Sequence, residues 1–225
     1  MQEARQTYLT PEEYLALERQ SETKSEYFNG EVFAMAGASV AHNQIVINLV
    51  LSLGGKLKDG PCRIFSSDMR VKVRQTRSYA YPDIVVICGP LRFEDRKRDT
   101  LLNPTVIFEV LSSSTERYDR GGKFAHYRTL ESLTDYVLIS QLEAKVEHFA
   151  RQPAEKWLLS VYSGLNAIAT LPSIGCELPL VEVYDKVEFP RPGSIPLRIV
   201  REHQSEYEYE DDAYASHPPY PNNDC

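Results

Sequence analysis

No stretch of the 225-residue chain approaches the ~18 consecutive apolar residues that a membrane-spanning helix requires. The N-terminal segment MQEARQTYLTPEEY has no positively charged start leading into an apolar run, so no signal peptide is expected, and the expected location is the cytoplasm. Cysteine is scarce. The four residues, Cys62, Cys88, Cys176 and Cys225, form no CxxC pair, which argues against a zinc knuckle or a thioredoxin-like redox centre. Cys62 and Cys88 fall in apolar, strand-like surroundings and are expected to act as small hydrophobic side chains. The five histidines show no HExxH spacing. A GxSxG nucleophile elbow is absent, as is a GxxxxGK[ST] phosphate loop. What the chain does have is 42% hydrophobic residues, enough to bury a substantial core in one α/β domain without disulfides or a structural metal.

The formal net charge of −7 argues at first against a nucleic-acid partner, but its distribution matters. Residues 202–225 contain seven acidic residues and no Lys or Arg, so residues 1–201 hold 25 acidic residues against 25 basic ones. The folded body is therefore formally neutral, and a polyanionic partner remains open. Periodicity ends after Pro190-Arg191-Pro192-Gly193. Residues 1–190 are read as one domain and residues 191–225 as an acidic, Pro- and Tyr-rich disordered tail.

Along the domain, Thr10-Pro11 suits an N-cap followed by the first helical position, predicting a helix through Glu18. Asn29-Gly30, flanked by Tyr27-Phe28 and Val32-Phe33, predicts a hairpin. Val46, Leu49, Val50, Leu53 and Leu57 recur at helical spacing, so residues 40–58 read as an amphipathic helix with these side chains in the core. Strands are expected at 62–66 and 69–74, the second pointing Arg70, Lys72 and Arg74 one way and Val71 and Val73 the other. Ile84-Val85-Val86-Ile87 and Thr105–Leu111 read as strands buried on both faces. A basic, polar loop separates them at 90–103. A helix capped by Ser114 or Thr115 should run to about residue 130, followed by strands at 135–141, 144–150 and 156–162. Residues 165–188 should supply a closing strand and a short packed terminal stretch.

Apolar strands rarely spend a position on a carboxylate, because a buried unpaired charge costs several kcal/mol. Here two such strands each carry one: Asp83 at the start of the first and Glu109 near the end of the second. If the strands are antiparallel neighbours, both carboxylates lie at one edge of the sheet, where a divalent cation would relieve their repulsion; oxygen ligands favour Mg²⁺ or Mn²⁺. The alternative is that each pairs separately with a Lys or Arg at the sheet margin. Asp119 and Lys123, four residues apart on the following helix, share a face that could lie over the strand end. Lys123 could then orient an attacking water and stabilise charge on a phosphoryl oxygen, or simply form a solvated helix pair.

Tyr81-Pro82-Asp83-Ile84-Val85-Val86, then Phe108-Glu109-Val110-Leu111-Ser112 and the Asp119…Lys123…Tyr127 helix, resemble the Uma-two family of restriction endonucleases. Ser25–Val32, the Ser39…His42 segment, Asp135–Ile139 and Leu178-Pro179-Leu180 extend the resemblance over residues 8–188. It implies an α/β restriction-endonuclease-like fold of the PD-(D/E)XK nuclease class, a central mixed sheet flanked by helices. It also implies Asp83 and Glu109 as metal ligands. The position two after Glu109 is Leu111 where the general nuclease signature has Lys, which makes Lys123 the candidate for that role. Glu26 is a further acidic candidate near the metal. His42 either touches a phosphate, scaffolds the site, or caps the long helix.

Arg70, Lys72 and Arg74 form a basic stripe, with Arg92, Arg96, Lys97 and Arg98 in the loop before the second carboxylate strand. Both groups are candidate phosphate contacts, or else a solvated strand face and loop. The expected function is hydrolysis of DNA phosphodiester bonds with Mg²⁺ or Mn²⁺, by Asp83, Glu109 and Lys123. One alternative is a catalytically silent nuclease-fold protein that binds nucleic acid or a protein partner; another is an interaction module acting through its acidic tail. Cutting both strands of a duplex calls for two active sites, and a two-fold dimer is the commonest closed oligomer, so a homodimer is expected.

Overall fold

Strands β6 (Ile84–Cys88) and β8 (Val106–Leu111) pair antiparallel at the centre of the molecule, Ile84 opposite Phe108 and Val86 opposite Val106. Their unbroken apolar sequence follows from burial on both faces. Ile84, Val86, Val106, Phe108 and Val110 join one hydrophobic core, while Val85, Ile87, Ile107 and Leu111 join a second on the other side. The computed structural model describes residues 8–35 and 37–190. The chain divides into two units, Met1–Phe189 and Pro190–Cys225. The expected disordered tail lies outside the described residues.

A six-stranded mixed sheet is built outward from this pair. In the order given by hydrogen bonding it runs β11 (Trp157–Ser163), β10 (Lys145–Arg151), β9 (Asp135–Ser140), β8, β6 and β3 (Cys62–Ser66). β8 and β9 are parallel, with Glu109 beside Leu138; the crossover between them carries short helices α3 (Glu116–Tyr118) and α4 (Phe124–Tyr127), separated by a π-helical turn, Asp119–Lys123. The first core is closed by a long helix α2 (Val40–Leu57), a hairpin of β12 (Ile168–Leu171) and β13 (Cys176–Pro179), and a short helix α5 (Leu180–Val183). The second core is closed by another sheet, in the order β2 (Glu31–Ala34), β1 (Ser25–Phe28), β5 (Ser78–Ala80), β4 (Arg70–Val73), β7 (Thr100–Leu101). Among the described residues no helix is long and apolar enough to cross a membrane.

Several local expectations hold. Helix α1 (Pro11–Glu18) begins on a complete capping box between Thr10 and Glu13. Asn29 and Gly30 both take positive φ, 43° and 105°, as a tight hairpin turn demands. The Ser39 side chain caps α2 by accepting from the His42 N–H.

Other expectations are corrected. The buried stripe of α2 is Ile45, Leu49, Leu53 and Leu57; Val46 is only partly buried and Val50 is exposed, so the core-facing side is rotated from the one read in the sequence. Cys62 and Cys88 are not free hydrophobic side chains. They sit directly opposite each other on antiparallel β3 and β6 and form a disulfide, a meeting created by strand register and invisible in a separation of 26 residues. The loop at 90–103 contains the two-residue strand β7, which pairs in parallel with β4. Residues 165–188 form two strands and a helix where one strand was expected.

Arg70 is also corrected. It is 3% exposed, ion-paired to Asp99 at 2.8 Å and donating to the Tyr81 hydroxyl at 3.0 Å; Tyr81 donates in turn to Glu18 at 2.8 Å. The alternation of β4 is real, but the face opposite Val71 and Val73 is covered, so Arg70 is a structural cation withdrawn from any phosphate. Lys72 is partly buried and paired with Glu94, whereas Arg74 is exposed.

One buried polar cluster holds the far end of the large sheet. Asp135 accepts from Thr134 Oγ1 at 2.7 Å and from the Ser173 hydroxyl, and lies 2.5 Å from His148 Nε2. Burial pushes the Asp135 carboxyl up; the hydrogen bonds from His148, Ser173 and Thr134 more than offset it, leaving the group below its ordinary range. A carboxyl depressed in the folded state contributes stability above its unfolded pKa and loses it as pH falls through the folded value. Asp135→Asn should therefore lower stability at neutral pH by about 1–3 kcal/mol, the typical cost of leaving buried hydrogen-bonding groups without their partner. Urea midpoints should also fall less steeply for the variant than for the wild type as pH drops below about 4.

Candidate active site

Asp83 immediately precedes β6, and the antiparallel register places it beside Glu109 of β8. Its Oδ2 accepts from the Val110 N–H at 2.7 Å, a charge-assisted bond that fixes the carboxylate across the two strands. Its Oδ1 lies 3.1 Å from His42 Nε2, in the first turn of α2. His42 thus both receives the Ser39 cap through its backbone and reaches the site through its ring, while its Nδ1 is buried with no hydrogen-bond partner.

Glu109 occupies the one polar position of a strand otherwise made of Val, Ile, Phe and Leu, and it is 3% exposed. Lys123 reaches it from the π-helical turn, Nζ to Oε1 at 3.0 Å. The same ammonium lies 3.0 Å from Glu26 Oε1 and 3.7 Å from Asp119 Oδ1. Glu26 comes from β1 of the second sheet and also accepts from the Tyr81 N–H at 3.2 Å. Tyr127 donates its hydroxyl to Glu109 Oε1 at 3.2 Å, and Tyr136 donates to the Asp119 carbonyl at 2.9 Å. Asp83, Glu109, Lys123, Glu26 and His42 therefore converge. Arg70, Lys72 and Arg74 belong to β4 or its end, outside this group of side chains.

The π-helical turn explains how Lys123 arrives. An extra residue in the turn breaks the 3.6-residue period, so that Asp119 and Lys123 are both buried instead of lying on an outward face. Gly122 lets the Tyr118 ring lie close against it, since a Cβ there would meet that ring at 2.8 Å. Asp119, Tyr127 and Tyr81 were not singled out as site residues from the sequence. Asp119 carried a signal in its spacing to Lys123; Tyr81 and Tyr127 lay within the motifs of the family resemblance, but nothing in the sequence gave either a role.

The electrostatics are unbalanced. Glu26, Glu109 and Asp119 surround a single ammonium that is 7% exposed, and Asp83 stands beside Glu109. Burial drives the Glu109 carboxyl well above its usual range; Lys123 opposes this, and Asp119, Asp83 and Glu26 add to it. Burial works against charge on Lys123, yet Glu109, Glu26 and Asp119 hold its ammonium well above the ordinary lysine range. Asp119 is likewise raised, chiefly by burial. Such a surplus of buried negative charge with hard oxygen donors fits a divalent cation. Among the described residues no group of three or more His, Cys, Asp and Glu side chains forms a ready metal cage.

The chain is 41% identical over 159 residues to the "Uncharacterized protein sll1609" of Synechocystis sp., covering 71% of this chain and 90% of that one. A second Synechocystis protein, "Uncharacterized protein slr1290", is 36% identical over 182 residues, 80% of this chain and 94% of that one. The crystal structure of "a putative nuclease belonging to DUF820" from Anabaena variabilis superposes with a TM-score of 0.64 at 19% identity, over 78% of this chain and 97% of that one. At that identity the likeness speaks for the fold, which is restriction-endonuclease-like. Residues 11–180 match the Uma2 family, described as "Putative restriction endonuclease". The chain belongs to the Uma2 family.

Proposed function

We propose that the protein is a metal-dependent endonuclease that hydrolyses phosphodiester bonds in DNA. The observation that carries this reading is the convergence of Asp83 and Glu109, from adjacent antiparallel strands, with the buried ammonium of Lys123. Asp83 and Glu109 would hold Mg²⁺ or Mn²⁺. When bound, the ion would supply charge neutralisation at the phosphate and acidify a water.

The chain's own groups have separable tasks. The Val110 N–H and His42 fix both oxygens of Asp83, so that its orientation is set before substrate arrives. Tyr127 and Lys123 share Glu109 Oε1, which pins that carboxylate in a similar way. Lys123 remains protonated among its carboxylates. It therefore acts as a donor that orients the attacking water and stabilises negative charge on a phosphoryl oxygen, not as a proton acceptor. Glu26 balances the ammonium from the opposite sheet.

The dimer expected for double-strand cutting is part of the proposal. Edge strand β11 has no charged residue, and its Leu158, Leu159 and Val161 are exposed. Pairing of two such edges would cover them.

Four outcomes are expected. Mn²⁺ or Mg²⁺ should raise the Tm of the wild type by binding the folded state, and Asp83→Asn or Glu109→Gln should each abolish that rise in thermal scans; a rise surviving both changes places the cation elsewhere. Purified protein should nick or linearise plasmid with Mg²⁺ or Mn²⁺, and Asp83→Ala should not, whereas a silent binding protein would retain DNA in a gel shift and cut nothing. Lys123→Met should reduce turnover by orders of magnitude. Because Lys123 is buried among carboxylates, that variant should also be less stable by about 3–5 kcal/mol, and its rate must be compared below its own melting transition. In light scattering at micromolar concentration the protein should run as a dimer, and a charge placed at Leu159 (Leu159→Lys) should yield monomer.

A further inference from the structure

Glu26 and Lys123 line a narrow cleft of about 10 Å³ between the β1–β2 hairpin and the segment from Tyr118 to Tyr127. Cross-strand register puts Phe33 directly opposite Glu26, so the Phe33 ring stands on the face from which Glu26 reaches Lys123. Across the cleft, Tyr118 lines the same space as Lys123. Both rings are open to solvent, Phe33 at 51% and Tyr118 at 42%. Tyr14, Tyr27, Tyr79, Tyr127 and Tyr136 of the same region are fully enclosed by comparison, so these two aromatics are not core residues that failed to pack.

Tyr118 is also seated. Its ring lies against Gly122, where a Cβ would meet Cδ2 and Cε2 at 2.8 Å. One face of the ring is thus supported by backbone inside the π-helical turn that delivers Lys123. Behind Phe33, Phe28 stacks on His126 with ring centroids 4.4 Å apart. Beyond it a recess of about 250 Å³ opens, lined by Phe28, Asn29, Gln75, Thr76 and Arg77.

Charge alone does not account for how a polyanion is retained here. Behind the cleft, three carboxylates, those of Glu26, Glu109 and Asp119, surround one ammonium. Two of the three cations in the stripe read from the sequence are committed, Arg70 to Asp99 and Lys72 to Glu94. Arg77 lines the recess beyond Phe28, and the exposed cations Arg74, Arg92, Arg96, Lys97, Arg98 and Arg117 do not line the cleft. A neutral contact suited to nucleic acid is base stacking on an aromatic face, which is indifferent to sequence but requires the base to be out of the duplex.

We propose that Tyr118 and Phe33 form a stacking platform at the mouth of the active site, and that the substrate is an unpaired nucleic-acid strand or the unpaired part of a larger DNA. This deepens the nuclease reading and rests on it. The bases would lean on the aromatic rim while the phosphate between them reaches Lys123 and the carboxylates below.

The test is fluorescence anisotropy with the full chain in EDTA, so that no cleavage intervenes. The probes are a labelled 12-nucleotide strand as DNA and as RNA, its DNA duplex, and the DNA strand with central abasic residues. The proposal expects a single strand of either sugar to bind at least tenfold more tightly than the duplex, and the abasic strand to lose most of that gain. The sugar that binds better identifies the natural strand. Tyr118→Ala and Phe33→Ala should each weaken strand binding by roughly tenfold, the scale of one lost base stack. Tyr118→Phe should restore it, which a role through the hydroxyl would not allow. Equal affinity for strand and duplex, unchanged by Tyr118→Ala, would overturn the platform, as would no measurable strand binding. Plasmid cutting with Mn²⁺, assayed in parallel, decides the nuclease reading separately: a protein that cuts plasmid yet shows neither strand preference nor Tyr118 dependence keeps the enzyme and loses the platform.

Discussion

A single ammonium, that of Lys123, ties together parts of the molecule that the backbone leaves separate. It reaches Glu109 in the six-stranded sheet and Glu26 in the five-stranded sheet, both at 3.0 Å. Asp119 on its own turn adds a third carboxylate. These contacts are buried, where an unpaired charge of either sign is costly. Much of the surrounding structure can be understood as support for them: the Tyr127 hydroxyl on Glu109, the Tyr81 N–H on Glu26 and the Tyr136 hydroxyl on the Asp119 carbonyl. The arrangement still sets three carboxylates against one ammonium.

The layers reach this point through ordinary packing. β6 and β8 are apolar on both faces because helix α2 covers one and the second sheet covers the other. A strand buried twice over can hold a carboxylate only near its end, where partners from other elements can reach it. Asp83 and Glu109 occupy such ends, and the hydrogen bond from the Val110 N–H to Asp83 marks where the two strands bring them together.

The polarity pattern made this much legible in advance. Lone acids in the segments Asp83–Ile87 and Thr105–Leu111 pointed to one sheet edge, and antiparallel pairing placed them there. The hairpin at Asn29-Gly30 and the cap at Thr10 were legible because short-range chemistry determines them. What could not be read depended on contacts distant in sequence. The period-two pattern of β4 placed Arg70 opposite Val71 correctly, but nothing in that strand reveals that Asp99 and Tyr81 cover its other face. Cys62 and Cys88 meet through register alone. Two-residue β7 is too short to leave a pattern. The rotated stripe of α2 reflects a helix with apolar residues on more than one side, so spacing alone did not choose the buried one.

The π-helical turn has a consequence for how this segment can vary. Its single surplus residue sets the angular position of Lys123 around the helix axis. Removing one residue between Thr115 and Phe124 would restore the regular α-helical period and swing the following side chains by about 100°. The ammonium would then leave Glu109 and Glu26 even if every side chain in the site were kept. The length of this crossover is therefore as stringent a determinant of the site as the identity of Lys123 within it.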